Sequence, residues 1–312
     1  MSRLDTFQGV SFSLAGGVRR AGLLMDGHVL DIDDDIAALT VPDSVLKSLH
    51  AHGLTPAARG WMRWLQAGAP ARAALRQSLG SDLSQRTTHA LTSVQLHAPL
   101  ARPGKIVAIG RNYADHAKET GVQPFEKPRI ISKLPSSVCD PDATVPVPAD
   151  VQKMDFEAEL AVVIGSHAHA VSREDALHHV AAYCCLNDLS AREFQFDVNP
   201  AQTTFAKSMD GFCPLGPLLL DAADVPDPQN LWVRSWVNEQ PMQEANTHDM
   251  LFPVAQLIHY ISQYMTLEPG DVLATGTPAG IGAFRTPPVW LKRGDTVRVE
   301  VTGMGSLVTH IG

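Results

Sequence analysis

Residues 155–165 read DFEAELAVVIG, in which the apolar and β-branched run that follows Asp155 is interrupted only by Glu157 and Glu159. Such a short apolar run, ending in glycine, predicts a buried strand. Successive side chains on a strand alternate faces, so residues two apart share one face about 6–7 Å apart. The two carboxylates therefore look at one point. An unpaired buried carboxylate is costly, and two like charges about 4 Å apart repel by roughly 4 kcal/mol at an effective dielectric near 20. A cation or a proton has to sit between them.

Working outward, Asp188 ends a second apolar run, AAYCCLND (181–188), and stands at the mouth of a second expected strand. Three carboxylates then converge. Hard oxygen donors without His or Cys favour Mg²⁺, Mn²⁺ or Ca²⁺ over Zn²⁺, and three anionic ligands leave positions for water and substrate. The bland alternative is two surface glutamates on an edge strand and an aspartate capping a turn. In GRNYADHAKETG (110–121), His116 and Glu119 are i and i+3. On a helix they are neighbours, and the carboxylate can orient the imidazole as a general base. The alternative is a solvated polar helix. Arg192 and Lys207 lie in apolar, aromatic and glycine-rich surroundings, where a cation can hold a carboxylate or oxyanion.

Other motifs are weaker. His167 and His169 of GSHAHAVSRED can share a strand face but sit in a polar turn. GTPAGIG has neither the P-loop nor the dinucleotide-binding spacing, and no G-x-S-x-G elbow occurs. The formal charge of −8 over 312 residues offers no basic field for nucleic acid or anionic lipid. No apolar run is long enough to span a bilayer, and the opening residues lack the pattern of a signal peptide, so a cytoplasmic location is expected. Cys139, Cys184, Cys185 and Cys213 show no CxxC spacing and read as reduced core residues.

Texture divides the chain. Residues 1–95 hold apolar segments, VSFSLAG and AGLLMDGHVLDI, then helical stretches at SVLKSLHAHG and ARGWMRWLQAG. The segment LHAPLARPGK (96–105) reads as a connection. From Ile106 onward short apolar runs between Gly, Pro and Asp turns predict a β-rich core. Helices are expected at DHAKETG (115–121), at SREDALHHVAAY (172–183) with Ser172 as its cap, and at LFPVAQLIHYISQYM (251–265).

The ordered series GRNYADHAKE, DFEAELAVVIG, NDLSAREFQ, FAKSMDGFCPLGP and GDVLATGTPAGIG closely resembles the fumarylacetoacetate hydrolase family, across about residues 103–312. That resemblance implies an α+β, β-rich fold with a mixed β-roll core, a small N-terminal α/β domain at 1–95 and a catalytic domain at 103–312. It further implies a homodimer with one divalent ion per subunit. Glu157, Glu159 and Asp188 match the metal ligands, and His116 and Glu119 match a lid dyad that activates water. Lys207 and Gln195 match catalytic groups around the oxoacid end, while Arg111, Tyr113, Arg192 and Thr277 match substrate-binding positions. The expected activity is metal-dependent hydrolysis of a C–C bond in a 2,4-dioxo acid of the acylpyruvate or fumarylpyruvate type. The alternatives are a 2-oxo acid decarboxylase, a 2-hydroxy-dienoate isomerase or tautomerase of the oxaloacetate or hydroxyheptadienedioate type, and a non-catalytic binding protein. The stretch FDVNPAQTT (196–204) matches no subgroup, which leaves the substrate's distal end open.

Overall fold

The computed structural model describes residues 6–80, 83, 86–119, 123 and 125–312. The N-terminal part runs β1 (Gln8–Ser13), β2 (Arg20–Met25), β3 (His28–Asp31), α1 (Asp33–Ala37), α2 (Asp43–Ala51), α3 (Gly60–Gln66), α4 (Gly68–Leu79), β4 (Thr88–Ala90) and β5 (Gln95–His97). There follow β6 (Ile106–Gly110), α5 (Ala114–Glu119), β7 (Arg129–Lys133), β8 (Val138–Cys139), β9 (Thr144–Val145), β10 (Met154–Asp155) and β11 (Ala158–Ile164). Then come β12 (Val180–Asn187), β13 (Ser190–Ala191), α6 (Thr203–Ala206), β14 (Cys213–Asp221), β15 (Trp232–Val237) and β16 (Gln240–Asn246). The chain closes with α7 (Val254–Ser262), β17 (Val272–Ala274), β18 (Thr296–Val301) and β19 (Ser306–Ile311).

Among the described residues the main sheet has the order β4-β3-β2-β1-β14-β12-β11-β17-β6-β7, with β5 on β1 and β8 on β14. A second sheet, β16-β15-β18-β19-β9, packs on one face of it. The period of two decides which core each side chain joins. Leu160, Val162, Tyr183 and Cys185 face the second sheet. Ala161, Val163, Ala182, Cys184 and Leu186 face a cluster that includes Trp61, Trp64 and Leu65 of α3. Burial on both faces is why these strands read as continuous apolar runs. It also removes the edge-strand reading of Glu159, since β11 lies between β12 and β17, while Glu157 sits just ahead of β11 in a break after β10 and is itself buried.

The N-terminal strands extend the same sheet through β1, where Gln8, Gly9 and Val10 pair with Leu220, Leu219 and Leu218. Gly9 permits the close approach of α3: a Cβ there would lie 2.6 Å from the Trp61 ring. The Trp61 indole N–H donates to the Val10 carbonyl at 2.9 Å, and Phe7 stacks on Trp64.

The helix expected over 172–183 is corrected. Ser172 Oγ does accept the Asp175 N–H, but only a short 3-10 turn at Ala176–His179 forms before β12 takes over. The apolar run VAAYCCLN is worth more as a central strand, paired on both sides, than as a helix. The helix expected over 115–121 is described as α5 to Glu119, and Thr120 and Gly121 lie outside the described residues. No helix among the described residues is long and apolar enough to cross a membrane.

Candidate active site

Register builds the carboxylate cluster. Ala158 pairs with Asn187, and the Asp188 N–H donates to the Glu157 carbonyl at 2.9 Å, which clamps the start of β11 to the end of β12. Carboxylate oxygens of Glu157, Glu159 and Asp188 consequently lie within 4.8 Å of one another, all buried.

Cations surround the three unevenly. Lys207 Nζ donates to Glu157 Oε2 at 2.9 Å, Asp188 Oδ2 at 2.7 Å and Ser190 Oγ at 2.8 Å. Lys133 Nζ donates to Asp188 Oδ1 at 2.7 Å, to the Phe212 carbonyl at 2.9 Å and to the Lys207 carbonyl. Arg192 is a hub: Nε reaches Asp155 Oδ2 at 2.9 Å, Nη2 reaches Glu157 Oε1 at 2.6 Å and Nη1 reaches Gln195 Oε1 at 2.6 Å. Among the described residues Glu159 receives only the Gly276 N–H, at 2.8 Å. Gly276 sits at φ +97°, packed so tightly on Asn112 and the Ile109 carbonyl that no side chain fits.

The charges follow this geometry. Burial pushes Glu157 up, but Lys207 and Arg192 outweigh it and hold the carboxyl below its ordinary range. Burial, then repulsion from Asp188 and Glu157, pushes Glu159 well above its ordinary value. Burial works against the Lys207 ammonium, yet Asp188 and Glu157 keep it above the usual lysine value. Four buried carboxylates, with Asp155 included, thus face three cations, and among the described residues Glu159 is the one without an ion-pair partner. A divalent cation fits this place. The donors are hard oxygens, each carboxylate oxygen has a lone pair beyond those used by lysine and arginine, and the missing charge is positive.

The dyad lies over the same cavity. Asn112 fixes the approach to α5: its side chain donates to the Phe252 and Thr275 carbonyls at 3.1 and 2.8 Å and accepts the Phe252 N–H at 2.9 Å. His116 Nδ1 is 3.2 Å from Glu119 Oε2, and the Glu119 carboxylate accepts the Gly280 N–H. His116, Glu157, Asp188, Lys207, Gln195 and Thr277 all line one cavity, as do Arg111 and Arg192. Thr277 Oγ1 donates to the Ala158 carbonyl at 3.0 Å and accepts from Gln243 at 2.7 Å, so its hydroxyl is fixed at the head of β11.

Tyr113 differs from the others. It is packed in the hydrophobic core with its hydroxyl unpartnered and is not on the cavity wall. His167 and His169 do not join a ligand cluster; Ala168 between them bridges Leu267 and His169 meets Thr266. All four cysteines are free. Lys133, Asp155 and Asn112 were not singled out by the sequence. Asp155 opens the very stretch that holds the glutamates, and Lys133 ends an apolar strand, RIISK, where a charge needs a buried partner.

A buried carboxylate triad with room for one divalent cation lies beneath a His–Glu dyad on a β-rich roll, the layout of an enzyme site. The chain belongs to the fumarylacetoacetate hydrolase family: the model of the fumarylacetoacetate hydrolase C-terminal domain matches residues 105–312. It is 39% identical over 250 residues to oxaloacetate tautomerase FAHD2A, mitochondrial, of Bos taurus, covering 80% of this chain and 79% of that protein. The solved fumarylacetoacetate hydrolase of Exiguobacterium antarcticum is 33% identical with a TM-score of 0.77, covering 98% of this chain and 99% of that one. The 2-hydroxyhepta-2,4-diene-1,7-dioate isomerase of Mycobacterium marinum is 26% identical with a TM-score of 0.70, covering 98% of both chains. The fold is accordingly the β-rich α+β arrangement of this family, and the chain is one of its enzymes.

Proposed function

We propose that this enzyme interconverts the keto and enol forms of a 2-oxo acid of the oxaloacetate type, with Mg²⁺ or Mn²⁺ held by Glu157, Glu159 and Asp188. One observation carries the reading: a histidine with a carboxylate behind it and a buried ammonium share one cavity with Glu157 and Asp188 of the triad, and no serine or cysteine is among the described residues that line it. That is a proton carrier facing an oxyanion holder. The relatives named as oxaloacetate tautomerases and a hydroxyheptadienedioate isomerase support this reading better than the C–C hydrolase expected from the sequence.

The chemistry needs little else. His116, oriented by Glu119, takes the proton from C3, and the C–H electron pair becomes the C2–C3 double bond. Charge then gathers on the 2-oxo oxygen, toward which Lys207 turns the N–H it otherwise gives to Ser190. That oxygen takes a proton from water as the enol leaves, the hydroxide left behind takes the proton from the His116 imidazolium and restores the base, and the same steps run backward return a proton to C3. When bound, the cation supplies a Lewis acid toward the oxoacid end. Arg192 keeps Glu157 and Gln195 in place, and Phe284, 6.0 Å from the His116 ring, limits water at the base.

The test is a panel of oxaloacetate, an acylpyruvate, fumarylpyruvate and a hydroxymuconate-type dienoate, with products identified. Enolisation of oxaloacetate without loss of carbon dioxide is the expected outcome. Cleavage of the acylpyruvate as the fastest reaction would restore the hydrolase reading, in which His116 deprotonates water instead.

A further inference from the structure

Arg129 and Arg111 stand apart from the other arginines. Half-buried arginines elsewhere have protein partners: Arg20 and Arg76 pair with aspartates, while Arg63 and Arg285 donate to backbone carbonyls. Arg111 and Arg129 are also half-buried, yet among the described residues neither pairs with a carboxylate nor donates to a carbonyl. Both line the cavity that holds Glu157 and Asp188.

Local structure holds them there. Arg129 begins β7 directly opposite Gly110 of β6. A side chain at 110 would crowd it, since a Cβ there would lie 3.3 Å from Arg129 Cδ and 3.0 Å from Ile131 Cδ1. The missing side chain leaves the surface of β6 open to the arginine stem. Arg111 follows at φ +57°, a left-handed turn that a non-glycine residue rarely adopts. Its guanidinium lies over the Phe125 ring at 5.6 Å. Burial, and then the charge of Arg129, pushes Arg111 below its usual value. Two cations that repel one another on a cavity wall form a place for an anion.

We propose that Arg129, together with Arg111, is a second anion subsite that takes the distal carboxylate of the substrate, and so selects short dicarboxylic 2-oxo acids over monocarboxylic ones. This rests on the 2-oxo acid reading above. The triad and Lys207 serve the oxoacid end, and the arginine pair serves the other. Phe196 and Phe284 offer an apolar wall to the same cavity, but Phe196 lies beneath Arg192 and Phe284 beside His116, where they support the catalytic groups.

The experiment compares magnesium-loaded parent, Arg129→Gln and Arg129→Lys, each shown to melt as the parent does. Proton–deuterium exchange at C3 is followed for oxaloacetate and for pyruvate, and calorimetry gives the dissociation constant of each. In Arg129→Gln the preference for oxaloacetate falls by about 10- to 100-fold, the value of a charge-assisted hydrogen bond, and Arg129→Lys recovers part of it. A preference within about threefold of the parent, or a shift of Arg129→Lys to the Gln value, overturns the subsite. If the parent exchanges neither acid, the tautomerase reading falls, and binding decides the subsite alone. Arg129-dependent preference for oxaloacetate upholds it, and equal binding of the two acids by the parent rejects it.

Discussion

Arg192 Nε and Asp155 Oδ2 are 2.9 Å apart, with both side chains withdrawn from solvent. Asp155 also accepts the N–H groups of Gly282 and Ala283 at 2.8 and 3.1 Å. One carboxylate therefore ties the arginine behind Glu157 to the loop that carries Phe284. Asp155→Ala leaves a buried guanidinium and two N–H groups short of a partner and lowers stability by about 3–5 kcal/mol. Asp155→Asn keeps an acceptor and recovers part of that loss. Urea midpoints measure both, and an unchanged midpoint in the alanine variant refutes the account.

Glu159 yields a prediction of two opposite signs. Its carboxyl has a raised pKa in the metal-free protein, first from burial and then from Asp188 and Glu157. Between its unfolded and folded pKa values the native state binds more protons, so metal-free stability falls as pH rises through that window. Glu159→Gln removes this fall and makes the metal-free protein more stable at neutral pH. The same substitution weakens Mn²⁺ binding by about 100-fold or more, since a ligand counts for at least as much as an outer-shell partner. Calorimetry of Mn²⁺ binding and melting curves from pH 5 to 8 check the two arms. Undiminished Mn²⁺ affinity removes Glu159 from the site.

The dyad separates the possible reactions. His116→Ala removes the base, and Glu119→Gln leaves the imidazole without its charged support. Enolisation of oxaloacetate falls by about 10² to 10⁴-fold in the first and by less in the second. Stopped-flow absorbance of the enol measures it. A rate in His116→Ala within about threefold of the parent, far below a general-base contribution, assigns the C3 proton to another group.

The thiols give a chemical check on the core. Burial pushes Cys139, Cys185 and Cys213 up to about 12, and Cys184 well above its usual value. A thiol of pKa 12 is about 1 part in 10⁴ thiolate at pH 8, and only the thiolate reacts quickly. Native protein should resist a disulfide reagent at pH 8, and all four thiols should titrate once guanidinium unfolds the chain. Prompt reaction of Cys184, Cys185 or Cys213, the three buried thiols, means that its strand opens.

What the sequence carried was the part written in local pattern. Glu157 and Glu159 stood out because charge is rare in an apolar strand, and Asp188 because it ended another. The His116–Glu119 spacing needed only a helix turn. What remained hidden depends on distant pairing. Lys133 meets Asp188 across 55 positions, and Asn112 reaches Phe252 across 140, distances over which no residue pattern reports contact. The helix expected over 172–183 failed for the same reason, since the pull of two flanking strands on VAAYCCLN cannot be read from the segment itself. Tyr113 was placed with the substrate by its motif, while the fold turns it into the core.

The pairing of β1 with β14 bears on any attempt to shorten the protein. Cutting away the first 95 residues would strip β14 of its neighbour at Leu218, Leu219 and Leu220 and leave a leucine-lined row of free amides and carbonyls. Such a row is a template for a foreign strand. The trimmed chain would be expected to stick to copies of itself even with its carboxylates and lysines intact, so the N-terminal region serves as a selvedge that keeps the catalytic fabric from fraying into aggregates.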